Sequence, residues 1–376
     1  LKTPHLIHIS LGSNISNRIE FLQNAINEVY KTIGDIVSIS RVYETPAWGF
    51  NSDPFYNACI LVRTFLTTSD ALDKLLAIEN LLGRNRTNTD GYQARTIDLD
   101  IIFSSEGIID TKKLQVPHPH MQDRKFVLVP LVDIAETEIH PVLQQTVQQL
   151  LTNTSDNSTV TIVSNKLTNP KNKYLLSELQ YITIEGNIGA GKTSLAQLIA
   201  QEFNAKLILE RFADNPFLPK FYEDMERYAF PLEMSFLADR YQRLQDDIAQ
   251  FDLFTDFVVS DYDVFKSLIF ANVTLQPEEY TIYKRVFDLM YRSLTKPGLY
   301  VYLYQNTDRL LKNIKMRGRD YEQNISPEYL DKINTGYLQF IKMQQKLNVK
   351  VIDVSERDFI ANRGDYIWIL DQIIST

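Results

Sequence analysis

Tyr181-Ile-Thr-Ile-Glu-Gly186-Asn-Ile-Gly189-Ala-Gly191-Lys192-Thr193 reads as an apolar strand running into a glycine-rich turn, and Lys192 to Phe203 reads as the helix that follows. Residues 186–193 satisfy G-x-x-x-x-G-K-[ST] in full, at the strand-to-helix junction the pattern requires. Glycines there let successive backbone N–H groups turn inward, and the helix N-terminus adds positive potential. The stretch therefore predicts a phosphate cradle for ATP built from Gly186, Asn187, Ile188, Gly189, Ala190, Gly191, Lys192, Thr193 and Ser194. Lys192 reaches the β- and γ-phosphates in that reading, and Thr193 ligates Mg²⁺.

Outward from this stretch, strand-like runs recur at Lys206 to Glu210, Phe257 to Ser260, Leu299 to Tyr304 and Val349 to Val354, separated by long helical segments. The alternation predicts an α/β P-loop domain over residues 179–376, a parallel sheet with helices on both faces. Upstream, the composition turns to Thr, Asn, Ser and Lys between Thr152 and Lys173, broken only by Val160 and Ile162. That predicts an edge strand and then a linker over residues 166–178. Residues 1–165 mix strands (Ile7 to Leu11, Ile36 to Glu44, Asn57 to Phe65, Thr96 to Phe103) with helices (from Asn17 to Gly34, Ser69 to Leu82, Phe126 to Ala135, Val142 to Leu151). This first domain is expected to be α+β, helices on an antiparallel sheet.

The chain has 376 residues, 44% hydrophobic and 23% charged, which suits two folded domains rather than disorder. Its formal charge of -8 disfavours a protein that neutralises a nucleic-acid backbone and favours small anionic ligands. Cys59 is the single cysteine, so an intrachain disulfide and an all-cysteine zinc site are excluded, and a cytoplasmic setting is expected. The apolar runs fall far short of the roughly 20 residues that span a bilayer, so neither signal peptide nor membrane anchor is expected.

The densest chemistry of the first domain is Arg95-Thr-Ile-Asp-Leu-Asp100. On a strand Asp98 and Asp100 share a face, roughly 7 Å apart, and two such carboxylates suit Mg²⁺ better than each other. Glu79, Arg84 and Arg86 precede them and His118 and Arg124 follow, and arginines beside a Mg²⁺ seat are what polyphosphate transfer needs. With Leu11-Gly-Ser-Asn14, Tyr43-Glu-Thr-Pro46, Phe55-Tyr-Asn57, Gly83-Arg84-x-Arg86 and Val116-Pro-His118, this order resembles 6-hydroxymethyl-7,8-dihydropterin pyrophosphokinase over residues 4 to 165. The resemblance implies a ferredoxin-like fold and transfer of the β,γ-diphosphoryl group of ATP to the pterin hydroxymethyl, giving AMP. It implies Asp98 and Asp100 as Mg²⁺ ligands, with Arg84, Arg86, Arg95, His118 and Arg124 on phosphates and Glu79 at the ATP site. Phe55 and Phe126 would sandwich the pterin, and Thr45, Pro46 and Asn57 would read its edge. Read without the resemblance, Phe126 serves equally well as plain core.

In the second domain, Glu210 at the end of a strand can accept a proton from an attacking hydroxyl, and Arg317-Gly-Arg319 after an amphipathic helix can close as a lid on the transferred phosphoryl group. With Ile184-Glu-Gly-Asn187 and Lys315-Met-Arg-Gly-Arg319, these positions resemble bacterial deoxynucleoside kinases related to deoxyguanosine and deoxyadenosine kinases over residues 179 to 376. The resemblance implies 5′-phosphorylation of a deoxynucleoside by ATP with Glu210 as base, and commonly a homodimer. Two positions depart from the pattern. Ser260-Asp-Tyr-Asp263 lacks the family's arginine after the acidic residue, leaving Asp261 or Asp263 to serve Mg²⁺ or the sugar. Glu233 stands where relatives tend to carry a glutamine; a carboxylate accepts only, which suits the donor edge of guanine before that of adenine. Phe236 is the candidate to stack on the base. The missing arginine leaves open a second half that binds nucleotide, regulates or dimerises without phosphoryl transfer.

Overall fold

Ile7, Ile9 and Leu11 are fully buried and alternate with His8 and Ser10, which sets β1 (His5–Ser13) in the middle of an antiparallel sheet. In the computed structural model, which describes residues 3–84, 94–211, 215–250, 254–344 and 347–375, β1 pairs along its whole length with β4 (Phe55–Thr64) and on its other side with β5 (Asp98–Ser104). β2 (Gly34–Ile39) and β3 (Tyr43–Thr45) pair in succession with β4, and β8 (Thr161–Ile162) lies against β3. Helix α1 (Arg18–Thr32) links β1 to β2 and α2 (Thr68–Leu81) links β4 to β5, the ferredoxin-like pattern. Helices α3 (Lys125–Ala135) and α4 (Val147–Asn153) pack on Cys59, Ile102 and Phe103. A small ladder of β6 (Ile109–Asp110) and β7 (Gln115–Val116) completes this unit, Leu1–Lys173.

Two expectations are corrected here. The single strand from Ile36 to Glu44 is two, because Ser40 Oγ accepts the Cys59 N–H at 2.8 Å and the Arg41 N–H turns to Asp133 Oδ2 at 3.0 Å, interrupting the ladder. The helix expected from Val142 starts at Val147. Residues 139–146 form a turn closed by the Ile139–Thr146 bridge, and Thr146 with Gln149 makes the capping box that opens the helix.

The second unit, Tyr174–Thr376, is built on a five-stranded parallel sheet. Its order is β10 (Ala205–Ile208), β11 (Phe257–Ser260), β9 (Tyr181–Gly186), β12 (Leu299–Tyr304), β13 (Val349–Asp353). The strands alternate with α5 (Lys192–Phe203), α6 (Leu218–Glu223), α7 (Met225–Ala249), α8 (Phe265–Thr274), α9 (Pro277–Tyr291), α10 (Thr307–Arg317), α11 (Pro327–Met343) and α12 (Arg363–Ile374). In a sheet of this kind ligands lie beyond the carboxyl ends of the strands. The glycine-rich loop leaves the end of β9, Asp261 follows β11, and Glu210 stands just past β10.

The segment expected as a linker is held at both ends. Thr168 N donates to Gln23 Oε1 at 2.8 Å and Asn169 Nδ2 to the Ile36 carbonyl at 2.6 Å in the first unit. Within the second, Tyr174 OH donates to Asp371 Oδ1 at 2.8 Å and Leu176 is buried. Among the described residues no helix is long and apolar enough to cross a membrane.

Candidate active sites

Asn14, buried after β1, fixes the strand that carries the first site: its Oδ1 accepts the Arg95 N–H at 2.8 Å and its own N–H donates to the Arg95 carbonyl at 3.2 Å. Two residues on from β5's first residue, the pleat brings Asp100 to the face of Asp98, and both line one cavity with Arg95, Arg124, Thr45, Pro46, Phe55, Asn57 and Phe126. Phe126 thus reaches the cavity as well as packing on the core of α3 and α4. Asn57 Nδ2 donates to Thr45 Oγ1 at 2.9 Å, which leaves the amide oxygen and the second N–H to other partners. The cavity has room because Gly12 forms its floor: a Cβ there would sit 3.3 Å from Asn57 Oδ1.

Asp98 is clamped by cations. Arg84 Nη1 bonds both Asp98 Oδ1 and Glu79 Oε1, and Arg95 Nη1 lies 2.8 Å from Asp98 Oδ2. Glu79 is buried, and its Oε1 also accepts the Leu99 N–H at 2.9 Å. Burial, and then the neighbouring Asp98 charge, push the Asp100 carboxyl up to about 7. A buried carboxylate with a second carboxylate on the same face is chemically suited to a hard divalent cation. Glu79, Arg84 and His118 stand outside the lining of this cavity. Burial, reinforced by Arg124, holds the His118 imidazole down at about 4, so it is neutral near pH 7. Its Nδ1 accepts the His120 N–H at 3.2 Å, which assigns the ring proton to Nε2 and leaves a neutral donor rather than a cation. Arg86 lies outside the described residues.

Trp48 and Phe50 line the same cavity and escaped the sequence reading. The Arg124 guanidinium lies 5.4 Å from the Trp48 ring centre and 5.8 Å from that of Phe126. Two aromatics just beyond Thr45-Pro46 are the signal by which they could have been found.

The second site starts at the glycine loop. Gly189 and Gly191 adopt φ of +83° and +85°, which a side chain would strain, and a Cβ on Gly191 would lie 2.7 Å from the Phe359 ring. Gly189, Ala190, Gly191, Lys192, Thr193 and Ser194 line one cavity with Arg309, Arg317, Arg319 and Arg357. Gly186 and Asn187 do not line it. The Asn187 side-chain amide is committed to α11, donating to the Leu330 carbonyl at 2.8 Å and Asn334 Oδ1 at 2.9 Å, and the Asn187 backbone carbonyl accepts from Lys192 Nζ at 2.9 Å.

A second cavity continues from Ile188, Lys192, Thr193, Glu210 and Asp261 to Glu233 and Phe236. Asp261 sits at the phosphate end, its Oδ2 accepting from Thr193 Oγ1 at 2.5 Å and its Oδ1 from the Glu210 N–H at 2.7 Å. A hydroxyl and a carboxylate in contact present hard oxygens that fit Mg²⁺. Asp263 is turned away into the protein, where it accepts the Phe265 N–H at 2.9 Å.

Glu210 is flanked by Arg240, with Nη2 at 2.7 Å from Oε1, and by Lys266, with Nζ at 2.5 Å from Oε2. Burial opposes its ionisation, but Lys266 and Arg240 more than offset that and hold the carboxyl well below the usual range. Glu233 is buried; Thr274 Oγ1 donates to its Oε1 at 3.2 Å, while Oε2 has no hydrogen-bond partner among the described residues. Its carboxyl is pushed up to about 7 by burial. Arg317 and Arg319 both contact Glu322, with Arg319 Nη1 at 3.2 Å from Oε1.

The sequence reading missed Arg240, Lys266 and Glu322. Arg240 follows Glu233 and Phe236 at helical spacing on α7, so the face shared by those three was a usable signal. Nothing in the local sequence marks Lys266 or Glu322.

A family model described as deoxynucleoside kinase matches residues 182–376, and one described as 7,8-dihydro-6-hydroxymethylpterin-pyrophosphokinase matches residues 8–136. The chain is 38% identical over 190 residues to the deoxyguanosine kinase of Bacillus subtilis, covering 50% of this chain and 92% of that protein. It is 39% identical over 139 residues to the 2-amino-4-hydroxy-6-hydroxymethyldihydropteridine pyrophosphokinase of Porphyromonas gingivalis, covering 36% of this chain and 94% of that one. It is 30% identical over 185 residues to the deoxyadenosine kinase of Dictyostelium discoideum, covering 48% of this chain and 74% of that protein.

The buried carboxylate of Glu79 depends on the Arg84 guanidinium. Arg84→Met is expected to destabilise the first unit by about 3 kcal/mol, because it removes a cation from two carboxylates, Glu79 and Asp98, one of them buried. Adding Glu79→Gln should restore a large part of that loss, read by urea denaturation through Trp48 fluorescence in a Trp368→Phe background.

Proposed function

This chain belongs to the deoxynucleoside kinase family and carries a 7,8-dihydro-6-hydroxymethylpterin-pyrophosphokinase domain ahead of it, and from that footing we propose deoxyguanosine, then deoxyadenosine, as the acceptor of its second half. The chain is a bifunctional ATP-using kinase. The observation that carries the choice of acceptor is the cavity running from Lys192 and Thr193 to Glu233, whose Oε2 is unpartnered among the described residues.

In the first half, Asp98 and Asp100 would hold Mg²⁺, which when bound neutralises polyphosphate charge. Arg95 and Arg124 would take phosphate oxygens in place of water. Phe55 and Phe126 would offer aromatic faces to the flat heterocycle, and Asn57 and Thr45 would hydrogen-bond its edge. In the second half, the loop would hold the ATP phosphates, Thr193 and Asp261 would supply oxygens to Mg²⁺, and Glu210 would take the proton of the 5′-hydroxyl. Arg317 and Arg319 would close on the transferred group by exchanging Glu322 for phosphate. Phe236, with Arg240 4.7 Å from its ring centre, would hold the base against one wall.

Replacing Asp98 and Asp100 together by alanine should lower AMP formation from ATP and the pterin by about a thousandfold or more. ADP formation with a deoxynucleoside should stay unchanged, because that chemistry belongs to the other unit. AMP formation that survives the double substitution overturns the first assignment.

Ionised Glu233 accepts two hydrogen bonds, as the N1–H and amino group of guanine require. Protonated, it donates one and accepts one, as adenine requires. Since its carboxyl titrates near 7, with the neutral form below and the anion above, the ratio of deoxyguanosine to deoxyadenosine phosphorylation should rise with pH through that range. Glu233→Gln should move the ratio toward deoxyadenosine by about tenfold and flatten its pH dependence, measured as kcat/KM for each. An unchanged ratio in that variant removes Glu233 as the reader.

The second half is proposed to self-associate through its surface helices, where Ile282 and Leu289 of α9 are exposed. Sedimentation of the full chain at micromolar concentration should give twice the monomer mass; a monomer there refutes the dimer.

A further inference from the structure

The turn after β11 provides no cation to the second site. Tyr262, which follows Asp261, is fully buried in the apolar core and is absent from the cavity lining. Lys266 comes instead from the first turn of α8 and lines the cavity together with Lys192, Thr193, Glu210 and Asp261. It is 7% exposed, and its Nζ lies 2.5 Å from Glu210 Oε2.

Both oxygens of Glu210 are paired with a cation, Oε2 with Lys266 and Oε1 with Arg240. Arg240 meets Oε1 with two nitrogens, Nε at 2.8 Å and Nη2 at 2.7 Å, and is itself fixed through Nη1 on Ser267 Oγ at 2.7 Å. Two cations meet Glu210 beside the phosphate loop, where Glu185 and Asp261 also face Lys266. Lys192 and Lys266 line the same cavity. Two ammonium groups near each other in a site withdrawn from water are stabilised by a ligand carrying several negative charges.

We propose that Lys266 is a catalytic residue of nucleoside phosphorylation, pairing with Glu210 before transfer and turning its ammonium to the transferred phosphoryl oxygens as Glu210 takes the hydroxyl proton. The acceptor oxygen forms its bond to the γ-phosphorus while the bond to the bridging oxygen breaks, and that electron pair leaves on ADP. The hydroxyl proton goes to Glu210. Neutralised, Glu210 no longer holds the ammonium, so the cation is released to the phosphoryl oxygens at the stage when they need it. The assignment rests on Glu210 as the proton acceptor.

The test uses the full chain with ATP and the best acceptor of a deoxynucleoside panel. Lys266→Met is expected to lower kcat about a hundredfold or more while KM for nucleoside and ATP stay within about threefold. Lys266→Arg, which keeps the charge, is expected to recover about tenfold or more of that loss. Lys266→Gln keeps a hydrogen-bond donor to Glu210 and should behave like the methionine variant, so it carries the test if the methionine variant does not fold. The proposal is overturned if the neutral variants keep kcat within about threefold, or if the arginine variant is no better than they are while all lose thermal stability and ATP binding together. Glu210→Gln separates the two assignments. Activity surviving in that variant refutes Glu210 as base, whereas its loss alongside an active Lys266→Met refutes Lys266 alone.

Discussion

Glu210, Arg240 and Lys266 join the end of β10 to α7 and α8 through one carboxylate, and all three are largely withdrawn from water. A carboxylate in that setting stays ionised only while cations face it, and removing one partner from a buried pair typically costs about 3–5 kcal/mol. The three elements are therefore fixed against one another by electrostatics as well as by apolar packing. Glu233 and Phe236 share the α7 face of Arg240, so the same constraint sets the far wall of the cavity.

The first unit solves a related problem. Arg84 and Arg95 clamp Asp98, and Arg84 also serves the buried Glu79, while Asp100 has no such clamp among the described residues. The result is a carboxylate pair on one face, suited to a divalent cation, opening on an aromatic and amide-lined cavity. In the second unit two cations meet the single carboxylate of Glu210 beside the phosphate loop. The overall charge of -8 reports neither arrangement.

Element positions were legible where one period dominated. The strands Phe257–Ser260 and Leu299–Tyr304 and the helix Lys192–Phe203 have the bounds that periodicity alone suggests. Legibility failed where a polar side chain replaced a backbone partner. Ser40 Oγ breaks what reads as one strand, and the capping box at Thr146 and Gln149 sets a helix start that the apolar pattern places at Val142. The departure at Tyr262 was visible in the sequence, but its consequence was not. Only the fold shows Tyr262 buried in the core and Lys266, from the next helix, beside Glu210.

By itself the sequence determined the parts whose physics is local. These are the glycines that bend a loop around phosphate, the strand that puts Asp98 and Asp100 on one face, and the alternation that makes one domain antiparallel and the other parallel. Only the tertiary structure decided which charges meet. Ion pairs such as Lys266 with Glu210, Arg317 with Glu322 and Arg84 with Asp98 join residues that packing brings together across turns and between elements. Charge acts through space, over distances that sequence spacing does not encode.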